Sequence, residues 1–179
     1  MFSEYFLFFN ILLFSGFGIE IIFGHKRSDF KPYFTVCAVN SFTLIINSLA
    51  FFLLKDSFFV KYAIGEHYVF LMAAASAFFL NELFFMLLRH SDFNIFDSIN
   101  LVSIVFPMQL YLSAKRAGDV LAASAGAGLA FLIFSSLFFY IKRHVEENSD
   151  SADDFTVFCY EMILFGLFSA SFSIFFRVV

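Results

Sequence analysis

Charge is what this chain has least of. Only 15% of its 179 residues are Asp, Glu, Lys or Arg, against about 25% in ordinary soluble proteins. A soluble domain of this size needs a polar surface, and there is too little material here to make one. The net charge is −4, with no basic tract and no interleaving of basic and aromatic residues, so nucleic acid is not an expected partner. Cysteine is nearly absent. Cys37 and Cys159 stand alone inside apolar runs, form no CxxC or Cys/His cluster, and read as small buried hydrophobes rather than metal ligands. No GxSxG, HExxH or phosphate-cradling glycine loop occurs, so no catalytic constellation is expected. The four histidines, His25, His67, His90 and His144, all fall at the ends of apolar runs.

What fills the chain instead is hydrophobic residues, 61% of the total, with 33 phenylalanines among them. The runs they form have a telling length. A hydrocarbon core about 30 Å thick needs about 20 apolar residues at 1.5 Å of helical rise each. Backbone amides in lipid must be bonded within the segment, so each run should be a helix. A lipid-spanning barrel would alternate polar and apolar residues in segments of about ten, and these runs do not alternate. The sequence therefore predicts an all-α, polytopic membrane protein in one domain, with six spans near 5–23, 33–54, 67–88, 95–113, 120–141 and 155–176. Only four residues precede the first run, with no basic region and no small-residue cleavage site, so it is read as a mature span and not a signal peptide.

The punctuation between the runs agrees. A basic stretch at 25–31 precedes Pro32, which suits a first helical turn. Lys55, Asp56 and Lys61 mark a second loop at 55–66. Asp92 and Asn94 are candidate caps for the fourth span, and Asp119 for the fifth. A long polar stretch, 142–154, precedes the sixth. Loops on one side of the predicted spans hold Lys26, Arg27, Lys31, Arg89, Lys142 and Arg143; Lys55, Lys61, Lys115, Arg116 and Arg177 fall on the other. Six against five sets no orientation by the positive-inside rule.

Spans one to three and four to six are similar in length. Three is odd, so two such halves would sit inverted in the membrane, an arrangement that places binding sites where broken helices meet. Candidate breaks lie in span one at Gly16, Gly18 and Gly24, and in span four at Pro107, the one proline inside a span. Proline removes a backbone bond and bends a helix, although both residue types are common in membrane helices generally.

Polar groups inside the runs are the candidate functional residues, because a charge there costs a few kcal/mol on insertion scales. Glu20 lies near the end of span one, within reach of the interface. Glu82 is deeper, beside Asn81. Glu161 is about two turns into span six. Each glutamate, and Asn81 with Glu82, is read either as a helix contact or interface residue, or as part of an ion path. Asn10, Asn40, Asn47 and Gln109 read as interhelical hydrogen-bonding groups. The run Ala122-Ala-Ser-Ala-Gly-Ala-Gly128 spaces small residues four apart and reads as a close-packing face.

The order and spacing of these features along 3–177 resemble the Rnf/Nqr family, the six-span A/E/D-type membrane subunits of ion-translocating electron-transport complexes. Three stretches carry the likeness: the opening span from Tyr5 through Gly24; the run 79–89, Phe-Leu-Asn-Glu-Leu-Phe-Phe-Met-Leu-Leu-Arg, similar to the family's acidic third span with its basic end; and 120–143, small residues then bulky ones and a basic end. Pro107 falls where the family has a proline before its second central motif. The resemblance implies two inverted three-helix repeats, a broken first helix in each, and sister membrane subunits paired in opposite orientation. It implies a bacterial inner (cytoplasmic) membrane and electron flow coupled to Na⁺ or H⁺. In several members paired cysteines hold an iron–sulfur cluster between two subunits. Here the corresponding positions read Phe-Gly-His-Lys at 23–26 and Leu-Ser-Ala at 112–114. Thiolates are the usual cluster ligands, so the expectation is a diverged member that holds no cofactor, with any iron–sulfur or flavin group in partner subunits. Two other roles fit the same residues: a small secondary transporter or uptake component, and a structural assembly protein.

Overall fold

The computed structural model describes residues 30–88 and 101–148, together with Cys159, Tyr160, Met162, Ile163, Gly166 and Leu167, which are helical. The predicted span one, with Gly16, Gly18, Gly24 and Glu20, lies outside the described residues, as does Glu161. Among the described residues the protein is all-α. Helix α1 is Phe30–Leu54, continued by a wide π-helical turn at Lys55–Phe59; α2 is Glu66–Leu87; α3 is Leu101–Ser113; and α4 is Ala117–Asn148. Three of these, Phe30–Phe59, Glu66–Leu87 and Ala117–His144, are long and apolar enough to cross a membrane.

Helix α1 is the centre of the packing and touches α2, α3 and α4. Its partners fix the directions. Tyr33 meets Ser135 and Ser41 meets Gly128, so α4 runs antiparallel to α1. Asn40 meets Asn81 and Asn47 meets Ala73, so α2 is also antiparallel. Asn47 meets Ser103 and Lys55 meets Tyr111, so α3 runs parallel to α1. The chain thus reverses at each connection, as consecutive crossings of a layer would.

The boundaries correct the sequence reading in three places. The loop expected from Lys55 begins later, because the helix continues through the π-helical turn to Phe59. A helix can end in charged residues when they reach polar partners, and Lys55 does. Next, α4 starts at Ala117, so Asp119 sits in its first turn rather than before it; an acidic side chain there complements the helix dipole. Finally, the polar stretch expected from 142 is helical to Asn148, supported by an Arg143–Glu147 pair at 2.8 Å, one turn apart.

The connection from α1 to α2 closes in a Schellman motif. The Ile64 amide donates to Phe59 O at 2.9 Å and the Ala63 amide to Val60 O at 3.1 Å, the paired bonds that end a helix in a left-handed residue. That residue is Ala63, at φ 50°, where glycine is usual. Ile64 packs on the aromatic cluster of Phe51, Phe59 and Tyr111, the apolar contact that accompanies the motif.

Two kinds of face hold the helices together. Against α1, α4 presents Val120, Ala123, Ala127, Ala130, Phe131, Phe134 and Phe138, all buried. Its small residues let the backbones approach: a Cβ on Gly128 would lie 3.4 Å from Ser41 O. The close-packing face read from the small-residue run is therefore the α1–α4 contact at this point. Helix α2 buries a narrower strip, Val69, Ala73, Ala77, Asn81 and Phe85, spaced four apart. Most of the remaining α2 side chains are apolar and exposed or half-buried, including Phe79 at 64% and Met86 at 77% exposed. Most hydroxyls in these helices turn back to a carbonyl one turn earlier, as Ser48 does to Leu44 O at 2.7 Å.

Candidate functional site: a buried polar seam

A line of buried polar side chains runs down α1 and joins it to α2 and α3. On α1, Asn40, Thr43 and Asn47 fall three and four residues apart and so share one face. All three are buried, as are Asn81 and Ser103 across from them. In apolar surroundings such groups are costly unless bonded, and the seam supplies the bonds. Asn81 Nδ2 donates to Asn40 Oδ1 at 3.0 Å, and Thr43 Oγ1 donates to Asn81 Oδ1 at 2.6 Å. Asn40 Nδ2 donates in turn to Val36 O at 2.9 Å.

Asn47 forms the second node, near the midpoint of the Phe30–Phe59 helix. Its Nδ2 donates to Ala73 O on α2 at 3.2 Å and to Ser103 O on α3 at 3.1 Å, while its Oδ1 accepts from Ser76 Oγ at 2.7 Å. One amide therefore ties three helices. The Ser103 bond has a further cause. Pro107 lies inside α3 and is buried; having no N–H, it leaves the carbonyl four residues earlier, that of Ser103, without its helical donor. Asn47 provides the replacement. Helix α3 is continuous from Leu101 through Pro107 to Ser113, so the candidate break in span four is a repaired one.

A third polar contact lies at the far end of α1. Lys55 Nζ donates to Tyr111 O at 2.7 Å and sits 5.3 Å from the Tyr111 ring centroid. Tyr111 belongs to the last turn of α3, whose carbonyls lack helical donors and carry partial negative charge. A cation there both caps and neutralises.

The sequence-predicted residues divide as follows. Asn40, Asn47 and Asn81 come together in the seam. Glu82 is adjacent to Asn81 in sequence, but successive helical residues point about 100° apart; Asn81 is buried and Glu82 half-buried. Gln109 does not join the seam and is exposed. Cys37 is buried and Cys159 half-buried, both as free thiols. His67 and His144 are exposed. Among the described residues no cluster of three His, Cys, Asp or Glu side chains could hold a metal. Thr43, Ser76, Ser103 and Lys55 were not picked out from the sequence. Thr43 could have been, since it shares a face with Asn40 and Asn47; the others matter through tertiary contacts alone.

No protein-family model matches this chain, and no curated protein and no solved structure does.

Proposed function

We propose that this chain is a multi-pass integral membrane protein of six spans, a diverged Rnf/Nqr-type subunit that packs beside sister membrane subunits of an ion-translocating electron-transport complex. It carries no iron–sulfur cluster of its own, and redox groups reside in its partners. The observation that carries the membrane part is the inside-out distribution of polarity: amides and hydroxyls are buried and paired along α1, while α2 exposes phenylalanine, leucine and methionine. In water that arrangement exposes a large apolar surface, which marks a lipid or partner contact. The inverted-repeat reading rests on the similar lengths of spans one to three and four to six; the antiparallel α1–α4 pair is what any chain reversing at each crossing would show. The subunit reading itself rests on the resemblance in order and spacing along the sequence. Glu82, half-buried beside the seam, is the carboxylate assigned to an ion path.

The test is a mild-detergent pull-down of the tagged chain from its native membrane, read by mass spectrometry and an optical spectrum. Sister membrane subunits with flavin or iron–sulfur absorbance are expected. A colourless, solitary protein overturns the subunit reading and points to a transporter or structural role. In the assembled complex, Glu82→Gln is expected to impair ion coupling with expression intact; normal coupling after reconstitution removes Glu82 from the path.

A further inference from the structure

An open groove of about 400 Å³ lies between Phe34 of α1 and one face of α4. Phe34 forms one wall. Leu129, Ile133, Ser136, Leu137 and Tyr140 form the other. The one hydroxyl among the aliphatic wall residues is turned away, since Ser136 Oγ donates to Leu132 O at 2.7 Å. Among the described residues that line the groove, none between Leu129 and Leu137 offers a polar ligand a hydrogen bond. Its volume lies in the range of small-molecule sites, about 300–1,000 Å³.

Length and charge narrow the occupant. From Leu129 to Tyr140 the α4 wall extends about 16 Å at 1.5 Å per residue, roughly half of a hydrocarbon core about 30 Å thick. That is the depth of one leaflet. The two ends of the groove differ. Toward the start of α4 from Leu129 the surface remains apolar, with Ala125, Ala122 and an exposed Leu121. Beyond Tyr140, three and four residues on and so on the same face, come Arg143 and His144, both exposed. Because α1 is antiparallel, its first turn reaches this same end, and Lys31, three residues before Phe34, is exposed there. Tyr140 stacks on Phe30 at 5.2 Å and stands 56% exposed, as tyrosines at a membrane–water boundary do. Glu147 holds Arg143 Nε at 2.8 Å, but both side chains are about 60% exposed, and such pairs are weak.

We infer that this groove is a binding site for one anionic phospholipid, its acyl chain lying between Phe34 and the Leu129–Ile133–Leu137 wall and its headgroup held by Lys31 and Arg143 beside Tyr140. The inference rests on the membrane reading above and goes beyond it by naming a site and a ligand class. A neutral lipid would fill the groove without using the basic end. A basic residue near an anionic headgroup contributes about a fivefold preference, so two of them favour an anionic lipid clearly over its zwitterionic counterpart.

The experiment is native mass spectrometry of the full chain in mild detergent, titrated with phosphatidylglycerol or phosphatidylcholine of identical acyl chains. Phosphatidylglycerol is expected to occupy a first site at least about fivefold more tightly. Lys31→Ala with Arg143→Ala should bring it down to the phosphatidylcholine level, and Lys31→Arg should retain the preference. Ile133→Trp, which fills the groove, should weaken the first site for both lipids. A melting transition within a few degrees of the parent in each variant shows that the fold is kept. Equal binding of the two lipids, or a preference that survives the double alanine variant, overturns the site. Resistance of the parent chain to alkaline carbonate extraction is read in parallel. If the lipid preference is absent but the chain resists extraction, the site fails alone; if carbonate strips the chain from membranes, the membrane reading fails with it.

Discussion

Asn47 and Pro107 should be energetically coupled, although neither side chain bonds to the other. Pro107 deprives Ser103 O of its helical donor, and Asn47 Nδ2 takes that place at 3.1 Å. Asn47→Leu nearly conserves volume and removes three bonds, of unequal consequence. Ala73 O lies within continuous α2 and also accepts from Ser76 Oγ at 3.0 Å, so it keeps partners. Ser76 Oγ likewise keeps Ala73 O. Ser103 is buried, and its carbonyl loses the Asn47 donor that stands in for the missing amide of Pro107. Interhelical bonds in membranes contribute about 0.6 kcal/mol each on average and up to about 1.7, so the loss of the three is expected to cost about 1–2 kcal/mol. In a Pro107→Ala background the new amide at 107 restores the helical bond to Ser103 O. There Asn47→Leu should cost about 1 kcal/mol less. The measurement is reversible unfolding in mixed micelles, followed by far-UV circular dichroism and by the fluorescence of the 7 tyrosines, since the chain has no tryptophan to mask them. If the cost of Asn47→Leu is the same in both backgrounds within about 0.5 kcal/mol, the usual margin of additivity, the amide is not serving the proline's carbonyl.

Two further substitutions test the local geometry in the same assay. At Gly128 a single methyl meets Ser41 O at 3.4 Å and Ile45 Cδ1 at 3.5 Å, so Gly128→Ala should change stability by less than about 1 kcal/mol, whereas Gly128→Leu overfills the α1–α4 contact and should cost about 1–3 kcal/mol; equal effects would mean the helices are not held close here. Ala63→Gly relieves a left-handed backbone that costs an L-residue about 1–2 kcal/mol, and after the entropy of the added glycine a net gain of about 0.5 kcal/mol is expected; a loss would show that the turn relaxes out of its left-handed conformation.

Much of the architecture could be read from the runs themselves, because length and apolarity are properties of single segments. The bounds predicted for α2, 67–88, lie within one residue of Glu66–Leu87, since there the apolar run and the helix have the same length. The ends of α1 and α4 were less legible. Lys55 and Asp56 look like loop residues until Lys55 is seen to reach Tyr111 O on another helix. Lys142 looks like the start of a loop, yet it is buried and the helix continues past it. The seam was half legible. Asparagine in an apolar run announces a need for partners, and Asn40 and Asn47 were read that way. Which partners they find depends on the register between helices, which no single segment encodes. Pro107 shows the same limit: the missing N–H is a fact of the sequence, but the donor that replaces it is 60 residues earlier in the chain, on another helix.

That register is where the seam has its physical purpose. In lipid, apolar side chains gain little by exchanging lipid contacts for each other, so helices associate through close packing and polar contacts. Helix α4 has close packing at Gly128 and a broad buried face. Helix α2 has much less: its most apolar window is 28% buried, against 56% for those of α1 and α4. Its attachment to α1 therefore leans on Asn81 and on the Ser76–Asn47–Ala73 node. Asn81→Leu removes the bonds to Asn40 and Thr43, about 0.6 kcal/mol each on average and up to about 1.7, or roughly 1–2 kcal/mol together. If these bonds hold α2 in place, the loss is local. Hydrogen exchange should then quicken in α2 by up to about tenfold, the equivalent of 1.4 kcal/mol, while the amides of α1 and α4 near Ser41 and Gly128 keep their protection. A uniform quickening across all three helices would show instead that the bundle opens as one unit and that the seam is merely one part of a single core.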